Sequence, residues 1–593
     1  ARVVLVCEDP QRHAQHTIPS EVKVLERREL DAVQRELRDL PGCTVLIYDQ
    51  VCAAEKRRRR KRRQLEDPAV RTLINADVCE GCGDCSVKSS CVSIEPLETE
   101  LGRKRQINQS SCNKDFSCVQ GFCPSFVTVH GVQPRKRAST ELDRSLWESL
   151  PEPPIAANPP MGTSIMLAGI GGTGVVTVGA VLAMAAHVHG LQASVYDMTG
   201  IAQKNGAVLS HLRIAEGERP IPTQTIGLGE ANVVIAVDMV AAVAEEAFRT
   251  MSPSTRFLGN QRVQPTASFN FNPDERVDTE AIMRRIQSRI ETGNVVLLDA
   301  TGIALAMCGD AIGSNFFLIG VALQLGWLPL SMPAIVRSIE LNGVQVKFNL
   351  NALQLGRLWV HDPETIRRML PKSSLERQAS VQRSIDELIS DRADRLQRYQ
   401  DASYERRFRL AIERVRSAEA LLRPGSHELT EKATETLYRL MSYKDEYEVA
   451  RMHTDRAFLH TIHEQFEGHP KLRFHLAPPL FAKKDPRTGH LIKKEYGSWV
   501  MPVFGLLAHL KRLRGTPFDI FGYTTERRRE RQSIVRYEKT LLTVLGHLRD
   551  DNFELAKRVI GAASTVRGFG HVKELSQIRA DQEEQRLLAE YLH

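Results

Sequence analysis

The sequence predicts a multidomain protein of mixed α/β and α+β class, with a metal-held cysteine module, a parallel α/β domain and a mainly α-helical C-terminal extension. Three observations carry that expectation. The chain has 593 residues, several times the roughly 100 to 200 that one domain usually holds. Seven of its 11 cysteines fall between Cys79 and Cys123. From Met161 onward short apolar stretches alternate with helical patterns, and beyond residue 360 charged helical periodicity takes over.

Residues 1–65 read as the last βαβ piece of a larger α/β domain. Ala1 to Glu8 resembles the middle of a strand, with no starting methionine and no secretory leader. A processed product or a fragment whose upstream partner is missing is therefore expected. Val22 to Leu25 and Cys43 to Tyr48 are apolar stretches around a helical stripe of Leu30, Val33, Leu37 and Leu40. Lys56 to Arg63 then places eight positive charges in a row. The whole chain carries 80 basic and 72 acidic residues, a formal net charge of +8, so this one run accounts for the excess. A basic composition concentrated at one site does not argue for a general nucleic-acid binder.

Residues 66–131 hold the clustered cysteines and few apolar runs, which suits a module held by metal. Residues 132–160 form a linker, broken by Pro151-Glu-Pro-Pro154 and Asn158-Pro-Pro160. Residues 161–360 begin with a strand at Ser164 to Ala168, a glycine turn and an apolar helix from Val175 to Val188. Strands are expected at Ala193 to Tyr196, Val233 to Val237 and Val295 to Leu298. Residues 361–593 read as helical, as in Leu375 to Arg423 and Gln577 to His593. With 42% hydrophobic and 26% charged residues, and no apolar run near the roughly 20 residues that span a bilayer, no membrane contact is expected. A secreted disulfide scaffold does not suit a long chain with no secretory leader, and a reducing cytoplasm fits better. Cys7, Cys43, Cys52 and Cys308 lie in or beside apolar segments and are expected to be buried structural thiols.

The cysteines are grouped as Cys79-x-x-Cys82-x-x-Cys85 followed by Cys91, and Cys112-x-x-Asp115-x-x-Cys118 followed by Cys123-Pro124. Two triplets with trailing cysteines suit a ferredoxin-like two-cluster domain, in which each lone cysteine ligates the other triplet's iron-sulfur cluster. One cluster then takes Cys79, Cys82, Cys85 and Cys123. The other takes Cys91, Cys112, Cys118 and, in the middle of its triplet, Asp115. An aspartate oxygen there is compatible with a complete 4Fe-4S cluster, a labile iron or a 3Fe-4S cluster. Zinc ribbons also use CxxC pairs, and acid-labile sulfide separates the two.

Gly169-Ile-Gly171-Gly172-Thr-Gly174 follows a strand and opens a helix, the setting in which GxGxxG lets backbone amides approach a phosphate. Asp197 ends the next strand, about where a ribose-binding acid would stand. Close helix-to-strand packing is the other use of such glycines. The loop after Asp197, which includes Lys204 and Asn205, is polar and glycine-rich, as the wall of a cleft or a surface connection would be.

Together these segments resemble the 2-oxoacid:ferredoxin oxidoreductases, in particular the long fused indolepyruvate type. Leu46 to Glu55 with the arginine run resembles the end of a thiamine-diphosphate domain, and Cys79 to Cys123 a ferredoxin domain. Met166 to Gly174, Gln203-Lys-Asn-Gly206 and Ile339-Glu-Leu-Asn-Gly343 resemble a gamma-type α/β catalytic domain. Tyr443-Lys-Asp-Glu-Tyr447 and Arg567-Gly-Phe-Gly-His571 resemble the C-terminal extension. The resemblance implies oxidative decarboxylation of an aryl pyruvate on thiamine diphosphate and Mg2+. Electrons would pass through two iron-sulfur clusters to ferredoxin, the acyl group to coenzyme A, and the assembly would be a homo-oligomer. It also implies that the glycine turn need not bind NAD; Gly169, Gly171, Gly172, Gly174, Lys204 and Asn205 remain candidates for cofactor or coenzyme A phosphates.

One departure is large. No Gly-Asp-Gly occurs in the chain, and Gly309-Asp310 with Asn315 is too compact to stand for it. The thiamine-binding half is therefore expected upstream or on another polypeptide. No catalytic residue is assigned here, and the chain alone is expected to be inactive. The alternatives are a different 2-oxoacid, or a standalone electron-transfer adaptor with a nucleotide-binding domain. For the basic run, pairing with a neighbouring domain or the missing half, or docking of an acidic acceptor, is preferred to nucleic acid.

Overall fold

A computed structural model describes residues 2–13, 18–135, 145–159, 161–200, 206–217, 221–370, 383–479, 482–486 and 488–593. The chain forms two compact units, residues 1–69 with 112–115, and residues 70–111 with 116–593.

In the first unit β1 (Arg2–Cys7), β2 (Lys23–Glu26) and β3 (Thr44–Asp49) form a parallel sheet in the order β2-β1-β3. The helix Leu30–Arg38 buries Val33 and Leu37 against Val4 and Val6. Leu40 lies past the helix end and is exposed. The basic run is the helix Ala53–Lys61. Its charges have partners inside the unit: Lys56 pairs with Glu8, and Arg58 and Arg59 share Glu55. Arg60 donates to the Asn113 carbonyl at 2.7 Å. The expectation of four buried structural thiols needs correction: Cys7 is buried and Cys308 half-buried, but Cys43 and Cys52 are exposed. Cys43 precedes β3 and Cys52 caps the basic helix, and both element ends face water.

The second unit opens with β4 (Val70–Ile74), the antiparallel hairpin β5 (Ile94–Leu97) and β6 (Lys104–Ile107), and β7 (Phe126–Pro134). The α/β region follows with β8 (Thr163–Ile170), β9 (Gln192–Thr199), β10 (Ala207–Ala215), β11 (Val233–Ala236), β12 (Arg256–Asn260) and β13 (Val295–Leu298). Their order is β13-β12-β11-β8-β10-β9. β8, β11, β12 and β13 run parallel, as expected, but β10 runs antiparallel to both neighbours. The short connection between β9 and β10 has no room for a crossover helix, so it can only fold back. β8 is buried along its length, as a central strand covered on both faces must be.

One face of this sheet carries the apolar helix Val175–Val188, with Ser314–Gln324, Met332–Asn342 and Val346–His361. Every residue of Ser314–Gln324 is buried. Two of these helices touch through glycines. A Cβ on Gly320 would stand 2.0 Å from the Leu353 carbonyl oxygen, and one on Gly356 2.0 Å from that of Phe317.

The C-terminal region is mainly helical, but it also supplies β14 (Phe466–Leu476) and β15 (Lys494–Tyr496). These complete an antiparallel sheet in the order β15-β14-β7-β4. The sheet thus joins the segments drawn separately as 66–131 and 361–593. Helices Glu446–Thr454, Arg456–Gln465 and Val500–His509 cover it. A separate bundle packs Ile385–Tyr399, Ala402–Leu422, Glu428–Met441, Thr525–Gly546 and Phe553–Ala562 around a second core. Among the described residues no helix is long and apolar enough to cross a membrane.

Candidate functional site

Cys79, Cys82, Cys85 and Cys123 all belong to the second unit. Cys79, Cys85 and Cys123 are buried and Cys82 is half-buried. The turns that bring them together depend on glycine. Gly81 and Gly83 have φ of +68° and +82°, in the left-handed region that a side chain resists. A Cβ on Gly81 would also stand 2.3 Å from the Arg103 carbonyl oxygen. Gly83 opens the helix Asp84–Ser89, which places Cys85 in its first turn. Across from it, a Cβ on Gly121 would lie 2.9 Å from Cα of Cys85. The two cysteine segments therefore approach backbone to backbone, and the Phe122 N–H locks them by donating to Asp84 Oδ2 at 2.6 Å.

The thiols perturb one another. Burial pushes the Cys82 thiol far up, and Cys123, Cys85 and Cys79 add to it. Burial likewise raises Cys85, with contributions from Cys79 and Cys123, whereas Arg105 opposes. Cys123 is pushed up to about 11 by burial and by Cys79, against hydrogen bonds from Ser125 and the charge of Lys493. Thiolates crowded in this way would call for a cationic group to neutralise them.

Donors already point at the sulfurs. The Gly81 N–H donates to Cys79 Sγ at 3.3 Å, the Ser125 N–H reaches Cys123 Sγ at 3.5 Å, and the Ser125 hydroxyl is 2.9 Å from it. Hydrogen bonds to sulfur are a main lever on iron-sulfur centres. Among the described residues no three His, Cys, Asp or Glu side chains gather tightly enough for a single metal ion. A cluster is broader, taking one thiolate at each of several irons, and the donor set fits it.

Three cations flank the site, and sequence reading passed them over. Arg105, on β6, is 1% exposed, its guanidinium 4.2 Å from the Phe269 ring centroid and donating to the Pro273 carbonyl at 3.0 Å. Lys493 donates to the carbonyls of Gly121 and Cys123. Lys444 donates to those of Val78 and Cys79 at 3.3 and 3.1 Å. Lys444 stands within Tyr443–Tyr447, a segment singled out only by resemblance. Nothing local marks Arg105 or Lys493.

The second set is divided. Cys112 and Asp115 belong to the first compact unit, Cys91 and Cys118 to the second. Asp115 lies between Lys114 and Phe116, whose φ values are +56° and +59°. Cys118 is near enough to raise Cys85.

The glycine turn closes β8 and opens the helix Val175–Val188, with Gly172 and Gly174 at φ +85° and +91°. Two of its glycines serve packing. A Cβ on Gly169 would stand 2.5 Å from Val175 Cγ2, and one on Gly174 2.9 Å from Asn315 Nδ2. Gly172 faces open space, and the Gly171 N–H is bonded to the Gly206 carbonyl at 2.9 Å. The ribose-acid reading of Asp197 fails on topology: antiparallel β10 occupies the place beside β8, and Asp197 is exposed one strand farther out. Lys204 and Asn205 lie outside the described residues. A residue not foreseen, Asp238, stands at the carboxyl end of β11 with its carboxyl raised by burial.

Residues 164–359 match the family described as pyruvate ferredoxin/flavodoxin oxidoreductase, and residues 385–586 match a family of unknown function. The chain is 26% identical over 182 residues to the indolepyruvate oxidoreductase subunit IorB of Methanothermobacter thermautotrophicus, covering 31% of this chain and 88% of that one. The same subunit of Archaeoglobus fulgidus is 26% identical over 198 residues, covering 33% and 94%. A solved pyruvate oxidoreductase subunit of Thermotoga maritima overlaps 33% of this chain and 95% of its own, with 21% identity and a TM-score of 0.24.

Proposed function

We propose, from the premise that residues 164–359 are a gamma-type region of the 2-oxoacid:ferredoxin oxidoreductases, that the chain is the electron-transfer and gamma portion of such an enzyme. Its substrate would be an aryl pyruvate of the indolepyruvate type, converted to the aryl-acetyl-coenzyme A and CO2 with reduction of ferredoxin. The observation that carries the reading is the set of four thiols, Cys79, Cys82, Cys85 and Cys123, gathered in one unit with that gamma-type region.

Those four residues would hold one iron-sulfur cluster, and Cys91, Cys112, Cys118 and Asp115 a second. When bound, such a group supplies a one-electron store. The chain's own part is to keep that charge out of water and balanced. Arg105 and Lys493 offset the thiolates, and the Gly81 and Ser125 amides hold two sulfurs in place. Without a Gly-Asp-Gly segment, no step on thiamine is assigned to this chain, and a partner subunit would supply it. The antiparallel β10 beside β8 weighs against the nucleotide-binding adaptor.

The test is anaerobic reconstitution of the full chain with iron and sulfide, then mixing with a thiamine-binding subunit. The expected result is matching iron and acid-labile sulfide, a dithionite-bleached visible absorbance, and ferredoxin reduction that requires indolepyruvate and coenzyme A. Zinc without sulfide would sink the reading. Reduction by NADH alone would move it to the adaptor, and preference for pyruvate would reassign the substrate.

A further inference from the structure

Beside the thiol site the second unit holds a cavity of about 840 Å³, within the range of small-molecule sites. Its lining comes from the cysteine module, from Asp274 and Arg276, and from the mainly helical C-terminal region. Thirteen lysines and arginines face eight aspartates and glutamates around it. Much of that charge is locked into pairs. Arg451 is held by Glu448, Arg567 by Asp274, Lys573 by Glu530, and Arg395 by Asp391 and Glu100.

The remainder is not balanced. Lys104, at the start of β6, is 7% exposed, and among the described residues no hydrogen bond or ion pair engages its ammonium. Burial pulls it down to about 8 and Lys444 and Arg439 press the same way, against Glu80 and Cys79. Glu80 is itself committed, with Lys444 at 2.5 Å and Arg439 at 3.9 Å. Asp274 and Glu435 also act on Arg439, and Lys104 is left without a paired carboxylate among the described residues. Lys432, on the same lining, also has no carboxylate partner among the described residues.

A buried charge is ordinarily paired, and an uncompensated group of lysines in a concave site is suited to a ligand that brings the missing negative charge. A monocarboxylate would balance one ammonium; a phosphate or diphosphate balances two or more and accepts from several donors at once. Tyr438, Leu440, Met452 and Val566 give part of the lining an aromatic and apolar surface, where an organic moiety could rest. We propose that this cavity is a binding site for a small phosphate-bearing molecule of nucleotide class, its phosphates held by Lys104, Lys432, Lys444 and Arg439. The site is separate from the glycine turn, and the inference does not require that the thiols be loaded with iron.

The test is isothermal calorimetry on the full chain at low ionic strength, titrating inorganic pyrophosphate, ATP and coenzyme A in turn. Saturable binding of at least one probe is expected, weakened about tenfold or more in both Lys104→Gln and Lys432→Gln and reduced by added salt. Equal affinity for pyrophosphate and ATP would show that phosphate alone is recognised; tighter ATP or coenzyme A would identify the organic part as a contact and distinguish the two sources. Circular dichroism melting checks that each variant is folded, and Lys432→Gln decides the matter if Lys104→Gln is not. Absence of saturable binding for all three probes, or binding that the folded variants leave unchanged, overturns the proposal.

Discussion

The segment from Val70 to Pro134 and the α/β region from Thr163 to Met369 are held together by contrasting means. The α/β region rests on apolar burial, with β8 and the helix Ser314–Gln324 buried throughout and helices meeting at glycines. The cysteine segment has glycines at close approaches too, but what they bring together is sulfur, offset by Arg105 and Lys493. An apolar core is complete once it closes. A nest of buried thiolates would instead call for a cationic group to balance it. The lesson is that the same backbone device, a glycine where no Cβ fits, can serve either end.

The sharpest way to break the comparison is Cys85→Ser. Iron and sulfide should fall by about half, as one of two clusters is lost, whereas far-ultraviolet circular dichroism stays native. Unchanged iron content would mean that the four thiols do not act as one site. The reciprocal change is Gly356→Ala. Its new methyl would stand 2.0 Å from the Phe317 carbonyl, and overpacking of that kind should cost about 3 kcal/mol, read as a lower denaturant midpoint with iron content untouched.

A smaller effect follows from His453. It is fully buried and held to about 4, chiefly by burial, while its hydrogen bond to the Pro124 carbonyl works the other way. Nε2 donates to that carbonyl at 2.9 Å and Nδ1 accepts from Asn75 at 3.4 Å, so the neutral ring is the form that fits. Its folded value lies below the usual 6.5. The neutral ring's contribution is therefore fully present above about pH 6.5 and is lost as pH falls toward 4, by up to about 3 kcal/mol. Thermal melts across that window should show the decline, and His453→Gln should flatten it.

The smallest effect is expected at the basic helix. Arg58 and Arg59 are exposed and share Glu55, and exposed pairs are worth about 0–1 kcal/mol. Replacing both with glutamine should leave the melting temperature nearly unchanged. An unchanged salt dependence of ferredoxin reduction would also remove acceptor docking as their role.

Much of this was legible beforehand, because the signals are local. The CxxC spacing marked the thiol site, and apolar stretches located β1, β8, β11 and β13. Residues far apart in sequence left no such trace. Arg105 and Lys493 act on cysteines they do not adjoin, and an isolated lysine looks like surface. The parallel reading of the α/β region missed the antiparallel β10, because strand composition does not encode direction; the brevity of the link to β9 does. Asp197 stood at a plausible distance along the chain from the glycine turn, but the sheet inserts a strand between them. Cys43 and Cys52 show that an apolar neighbour is a weak guide to burial at the end of an element.

The pairing of β7 with β14 has a consequence in time. Val127 waits for Phe474, more than three hundred residues later. At ribosomal rates of roughly 5–20 residues per second, that interval is on the order of tens of seconds, during which β7 has an unpaired edge and the cysteines beside it lack their C-terminal cover. Synthesis therefore contains a period of vulnerability to oxygen and to aggregation, which slower elongation would lengthen and which a circularly permuted gene, placing residues 446–510 ahead of residue 70, would shorten.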